Sequence, residues 1–362
     1  MIGHSGIGAY LRGLLEGWRD AAPDFRPTLL GDPATLVSWL PDVERYGVVP
    51  FAAPIYGWRE QLAFPARATR GSVLHCPHYN IAFRHDGPLV VTIHDLIHLD
   101  KRWGAASVLG RLYARVMLRS AVRRAARILA DSEATARELA RHLGVSRDKV
   151  SVIYPAPSAA FLGCDAGPDR LDEFRREMAL PSDYLLTIGL YKRHKNLELV
   201  FEAIQTYSEN EGIPLPVVMA GTQEKERPAL ANRLAQMGIA GRVRVLDRLP
   251  NDRMPWLYKG ARAVVLPSWI EGFGLPVVEA QAVGTPVVAS RVEAIVEAAG
   301  DGALFFDPHD AADLARQVRT AIRDGEVRGR LIAQGRRNVE RFSWRESARK
   351  VLAIYEEVGQ VR

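Results

Sequence analysis

Short apolar, β-branched runs alternate with longer helical stretches throughout this chain, and that rhythm leaves few folds open. Strands joined through helices pair in parallel, so the pattern predicts an α/β protein. Residues 90–93, 127–130 and 150–153 read as buried strands in the first half. Residues 184–188, 217–220, 243–246, 263–266 and 286–289 read the same way in the second. Between the two series, residues 155–168 are dense in proline and glycine, which stop helix and strand alike. A chain of 362 residues holds two domains. The expected division is 1–163, 164–340, and a terminal helix over 341–362 that packs back on the first domain.

Composition narrows the class. Hydrophobic residues make up 48% and charged residues 25%, an ordinary globular balance. No run of eighteen apolar residues exists to span a membrane, and the first ten residues lack the features of a secretory signal. Cys76 and Cys164 stand in separate halves, which argues against a disulfide framework and against a cysteine metal site. A cytoplasmic setting is expected.

The net charge of +6 is unevenly spread: residues 101–130 carry eight Lys or Arg and no acidic residue. Arg111, Arg115, Arg119 and Arg123 recur every fourth position and form one slowly drifting stripe on a helix. A solvated face is the plainest reading. A peripheral contact with an anionic membrane surface or a phosphorylated acceptor is the second. Nucleic acid is a poor third, because no base-stacking motif accompanies the charge.

The strongest chemical signal is the run Ser268-Trp269-Ile270-Glu271-Gly272-Phe273-Gly274-Leu275-Pro276-Val277-Val278-Glu279-Ala280. It follows a predicted strand and opens a helix. Gly272 and Gly274 let backbone amides approach an anion, and the helix start adds the positive end of a dipole. Glu279, about two turns into that helix, is an acceptor suited to the two hydroxyls of a ribose. Glu271, on the loop, can accept from sugar hydroxyls. A second loop, Gly189-Leu190-Tyr191-Lys192-Arg193-His194-Lys195-Asn196, sets Arg193 and Lys195 where a diphosphate would lie. His94 ends a strand, where ligands gather in open α/β sheets. Ser5-Gly6-Ile7-Gly8 reads as a strand-to-helix phosphate loop, yet only four residues precede it. Either the strand is supplied differently or this chain begins at an internal methionine. Ser132 reads foremost as a helix N-cap.

Glu271 and Glu279, with seven residues between them around Gly-Phe-Gly-Leu-Pro, resemble the Glu-x7-Glu signature of glycosyltransferase family four. The resemblance runs from residue 2 to about residue 345 and is more specific in the second half. It implies the GT-B fold, two Rossmann-like domains facing an interdomain cleft, with the first strand of the N-terminal domain missing here. It implies retaining transfer of a hexose, mannose being one candidate, from a GDP- or UDP-sugar to a saccharide or lipid-linked acceptor in bacterial surface polysaccharide assembly. His94, Lys195 and Glu271 take the catalytic roles. Gly6, Gly8, Arg193, Ser268, Gly272, Phe273, Gly274, Leu275 and Glu279 join Lys195 and Glu271 around the donor. Many members carry an arginine directly after the loop glycine; Leu190 stands there, leaving Lys192, Arg193 and His194 as alternative compensating groups. No Asp-x-Asp occurs, and neither metal nor cofactor is required by this scheme.

Two other classes compete. A non-catalytic nucleotide-sugar sensor would keep Glu279 but has no need of the cationic loop. A dinucleotide-dependent Rossmann oxidoreductase needs a third glycine and an acidic ribose partner, which the first loop lacks. A sugar phosphorylase needs a lysine segment for pyridoxal phosphate, and none is evident.

Overall fold

A computed structural model of the chain describes residues 5–53, 58–100, 102–103, 108–165, 167–205, 212–247 and 249–360. The chain forms two compact units, Met1–Pro155 with Ser343–Arg362, and Ala156–Phe342. The first break falls at the start of the proline- and glycine-rich stretch rather than at residue 163. Phe161 explains the shift: it is buried in the core of the second unit, edge-on to Tyr258 with ring centroids 5.0 Å apart.

The first unit holds β1 (Thr28–Gly31), β2 (Gly47–Pro50), β3 (Leu74–Cys76), β4 (Leu89–Ile93), β5 (Arg127–Ala130) and β6 (Val150–Val152). All pairings are parallel. They make two separate sheets, β1-β2 and β3-β4-β5-β6. Leu89, Val91, Ile93, Ile128 and Ala130 share one apolar core with Ala114, Met117, Leu118 and Ala121 of the helix Val108–Arg124. The Ser5–Ala21 helix packs against the closing helix Trp344–Gln360. Their approach is close enough to require glycine: a Cβ on Gly13 would lie 2.0 Å from the Trp344 ring, and one on Gly17 would lie 2.2 Å from the Trp344 carbonyl oxygen. Trp18 Nε1 donates to the Ala348 carbonyl at 2.9 Å and fixes the register.

Among the described residues no strand pairs with both β1 and β3 to join the two sheets. Every residue of both strands instead lines one cavity of about 660 Å³, walled further by Leu11, Leu14, Leu15 and Trp18. Ser5–Gly8 is already helical, so Gly6 and Gly8 lie in the first turn of a helix and not on a loop.

The second unit has one six-stranded parallel sheet: β7 (Leu185–Ile188), β8 (Val217–Ala220), β9 (Val243–Val245), β10 (Ala263–Leu266), β11 (Val287–Ser290) and β12 (Ala303–Phe306). Its order is β12-β11-β10-β7-β8-β9. Alternate residues feed opposite faces. Leu185, Val217, Met219, Ala263 and Val265 enter one core, while Leu186, Val218, Ala220, Val264 and Leu266 enter the other. Burial on both faces is why these strands read as continuous apolar runs. The chain winds outward from β7 to β9, then returns to the middle at β10 and winds the other way. Neighbours β7 and β10 therefore flank a topological switch point, where loops at the strand ends diverge and leave room for a ligand.

Candidate active site

The loops after β7 and β10 meet at that switch point. Trp269 N–H donates to the His194 carbonyl at 2.8 Å, tying one loop to the other. Gly189, directly after β7, has φ 145°, a conformation side chains oppose, and it turns the chain away from the sheet. The loop then makes one 3-10 turn, Arg193–Lys195, ended by Asn196 in a left-handed conformation. Asn196 is buried and its Nδ2 donates to the Pro308 carbonyl at 3.0 Å. This turn aims Lys195 at the opposite loop.

Lys195 Nζ donates to Glu271 Oε1 at 2.6 Å, and Ser268 Oγ donates to the same oxygen at 2.6 Å. Ser268 is itself held, because Ser290 Oγ at the end of β11 donates to its carbonyl at 2.5 Å. Burial works to raise the Glu271 pKa, but the adjacent Lys195 charge and the two hydrogen bonds outweigh it and hold the carboxyl below its usual range. Glu271 is therefore a carboxylate at neutral pH. Lys195 keeps 23% of its side-chain surface, so the ammonium remains within reach of a further anion.

The other loop cations are placed differently. Lys192 Nζ lies 3.2 Å from Glu226 Oε1, whose second oxygen accepts from Tyr191 N–H at 3.1 Å. Lys192 is thus tied to a buried carboxylate, and Arg193 is exposed on the turn.

Gly274 takes φ 103° at the start of the helix Leu275–Ala282, and no side chain caps that end. Pro276 has no N–H and Val277 N–H donates to the Gly274 carbonyl at 2.9 Å, so the amides this end can offer an outside acceptor are those of Gly274 and Leu275. Because the helix begins at Leu275, Glu279 sits about one turn inside it rather than two. Glu279 does not join the Lys195–Glu271 pair. Tyr258 Oη donates to its Oε2 at 2.6 Å. Burial pushes the Glu279 carboxyl up to about 7, with the Tyr258 bond opposing. Phe273, expected at the donor, is 4% exposed and packs edge-on to Phe342 at 5.3 Å. Its ring belongs to the core, so only its backbone is available to a ligand.

His94 lies in the first unit, at the end of β4. Its Nδ1 is 2.7 Å from Asp131 Oδ2 and its Nε2 is 3.0 Å from the Pro77 carbonyl. Both partners are acceptors, so the two contacts together require both ring nitrogens to carry protons. Burial pulls the His94 pKa down; Asp131, with Asp95 and the Pro77 carbonyl adding to it, more than reverses this and leaves it raised. Asp131 is the functional candidate that sequence reading passed over. It ends β5 beside Ser132, which caps the next helix by accepting from Thr135 N–H at 3.0 Å. Among the described residues no cluster of three or more His, Cys, Asp or Glu could hold a metal ion.

Comparison with known proteins fits this arrangement. Residues 171–338 match the family model "Glycosyl transferases group 1", and residues 6–157 match "Glycosyltransferase Family 4". O-antigen chain mannosyltransferase B of Escherichia coli is 31% identical over 172 residues, 48% of this chain and 45% of that protein. D-inositol 3-phosphate glycosyltransferase of Corynebacterium efficiens is 29% identical over 280 residues, 75% of this chain and 66% of that protein. The chain thus spans between about half and two thirds of the length of these curated relatives. Among solved structures, a glycosyltransferase from Rickettsia africae superposes with TM-score 0.76 at 18% identity, over 97% of this chain and 95% of that one. Anabaena HepE in complex with UDP-glucose gives TM-score 0.78 at 20% identity, over 98% and 96%. The architecture is GT-B, built from two Rossmann-like domains, and the chain belongs to glycosyltransferase family four.

Proposed function

We propose that this protein is a retaining glycosyltransferase that moves a hexose from a nucleoside-diphosphate sugar to a saccharide or lipid-linked acceptor. The observation that carries the reading is the Lys195–Glu271 contact of 2.6 Å at the switch point of the second sheet. In this reading the donor diphosphate takes up the Lys195 ammonium and the uncapped amides at Gly274–Leu275. Glu271 accepts from hydroxyls of the donor sugar, and Glu279 accepts from the ribose. His94, whose two ring nitrogens are taken by Asp131 and the Pro77 carbonyl, acts on the sugar through its positive charge rather than through a hydrogen bond.

The acceptor hydroxyl attacks the anomeric carbon on the face from which the diphosphate departs, and the departing phosphate oxygen takes the acceptor proton. The bond to the diphosphate breaks as the new glycosidic bond forms, and configuration is kept. Such a step asks the protein for positioning and for charge stabilisation on the leaving group, not for a strong base. Side chains, rather than a metal ion or a cofactor, are assigned that charge. Mannose is the favoured hexose, on the strength of the mannosyltransferase relative, and a GDP- or UDP-sugar the favoured donor. Surface polysaccharide assembly in the cytoplasm is the corresponding setting.

Thermal-shift titration with GDP-mannose, UDP-glucose and an ADP-sugar tests donor binding, since a bound donor stabilises the folded state. One of them should raise the melting temperature, and NMR of the product should show the donor's anomeric configuration preserved. A folded sample indifferent to all three donors would overturn the reading.

A further inference from the structure

The helix Val108–Arg124 is already fixed by one side: Ala114, Met117, Leu118, Ala121 and Val122 are buried in the first unit. Its outer side is unusual. Val108, Leu109, Leu112 and Val116 are exposed by 71%, 78%, 57% and 51%. At about 100° per residue these four fall on the same outward half of the helix as the exposed Arg115, Arg119 and Arg123. No acidic residue occurs from 101 to 130 to offset them. At the helix's far end Arg124 donates to the Ala82 and His85 carbonyls and lies over the ring of Phe83, itself 42% exposed.

Aliphatic side chains left in water at this density mark a contact surface. A solvated face would carry polar groups there, and a nucleic-acid surface would have no use for the leucines. The combination of aliphatic side chains with uncompensated arginines suits one medium, the boundary of an anionic bilayer. There the apolar row enters the acyl region while the guanidinium groups stay among the phosphates. Among the described residues no helix is long and apolar enough to cross a membrane. We propose that the outer face of the helix Val108–Arg124 is an interfacial anchor that docks this protein on an anionic lipid bilayer. The anchor is independent of the donor site and stands whether or not the proposed transfer is correct.

The test is co-sedimentation of the full chain with vesicles of phosphatidylcholine alone and with vesicles containing roughly a third phosphatidylglycerol, at low and high salt. Binding to the anionic vesicles is expected, weakened by salt. Replacing Arg115, Arg119 and Arg123 together by Gln should lower the partition coefficient about a hundredfold, each arginine near the surface counting for about fivefold. Leu109→Ser with Leu112→Ser should abolish the part of the binding that survives high salt. Circular dichroism melts of both variants guard against unfolding, which their exposed positions make avoidable. Equal affinity for neutral vesicles, absence of binding, or indifference to both variants would overturn the anchor. So would self-association in sedimentation velocity that the leucine variant removes, since the face would then be a protein interface.

Discussion

Lys195 Nζ and Glu271 Oε1 stand 2.6 Å apart although their residues are separated by most of a Rossmann half-sheet in sequence. The loops after β7 and β10 bring them together, and the Trp269–His194 backbone bond holds those loops in step. A pair held this way presents a fixed cation without having to reorganise when charge develops on a leaving group.

Lys195→Ala is therefore expected to lower kcat by roughly a hundredfold to a thousandfold, the effect typical of removing one preorganised charge donor. It also leaves Glu271 buried without its cation, so Lys195→Ala with Glu271→Gln should recover stability but not turnover. Release of nucleoside diphosphate measures the first quantity and thermal melts the second. A Lys195→Ala enzyme with near-wild-type kcat would remove the electrostatic role.

Glu279 predicts a conflict between stability and binding. Burial raises its folded pKa to about 7, above the unfolded value near 4.3. A raised pKa contributes stability that is complete below the unfolded pKa and is lost as pH climbs through the folded one. Glu279→Gln keeps an acceptor for Tyr258 and never ionises. Its melting temperature relative to wild type should rise from about pH 4.5 to about pH 7 and then stay level. Donor affinity should fall by about ten- to a hundredfold, the worth of charged hydrogen bonds to the ribose. Wild-type donor affinity should itself strengthen as pH rises through 7, because the ionised carboxyl is the better acceptor. A pH-independent stability difference would mean that the carboxyl is not held protonated.

The His94–Asp131 contact makes a prediction about protonation. With acceptors at both ring nitrogens, the imidazolium is the form that satisfies the site, and Asp131 is the largest of the groups that raise its pKa. Asp131→Asn should move the His94 titration to lower pH, followed by NMR of the imidazole C–H signals. The stability supplied by the pair in the wild type should be present below pH 6.5 and decline as pH rises through the raised value. An unmoved titration would show that Asp131 does not govern His94.

Much of this was legible in the sequence, for a reason visible in the sheets. The strands β4, β5, β7, β8, β10 and β11 are buried along nearly their whole length and announce themselves as apolar runs. β1 and β2 are short and only half covered, so their sequences carry no such signal. β12 is a four-residue apolar run, Ala303–Phe306, with its two middle residues only partly covered. Lys195 and Glu271 could be named from loop motifs, but their mutual contact depends on β7 and β10 being neighbours, which no local pattern encodes. Asp131 was hidden for the same reason, since its partner His94 ends the neighbouring strand 37 residues earlier. Phe273 misled because a residue inside a binding motif can still turn its side chain to the core.

The packing of the Ser5–Ala21 helix on Trp344–Gln360 gives the last prediction, a contest between two effects of known size. Alanine is the better helix former, by about 1 kcal/mol over glycine. At Gly329, inside the helix Gly325–Val339 of the second unit, a Cβ would meet nothing within 4 Å, so Gly329→Ala should stabilise by about 0.5–1 kcal/mol. At Gly17 the added methyl would sit 2.2 Å from the Trp344 carbonyl oxygen and 2.8 Å from the Ala348 Cβ. Backbone cannot swing aside as a flexible side chain can, so the helices must separate, at a cost of about 1–3 kcal/mol or more. Separation also strains the Trp18–Ala348 hydrogen bond. Gly17→Ala should thus destabilise on balance, and its loss should fall on the first unit alone. Hydrogen exchange resolves the two units: amides of β4 and β5 should exchange faster in Gly17→Ala while those of β7 and β10 do not change. Equal loosening of both sheets would show that the closing helix does not act as a part of the first unit.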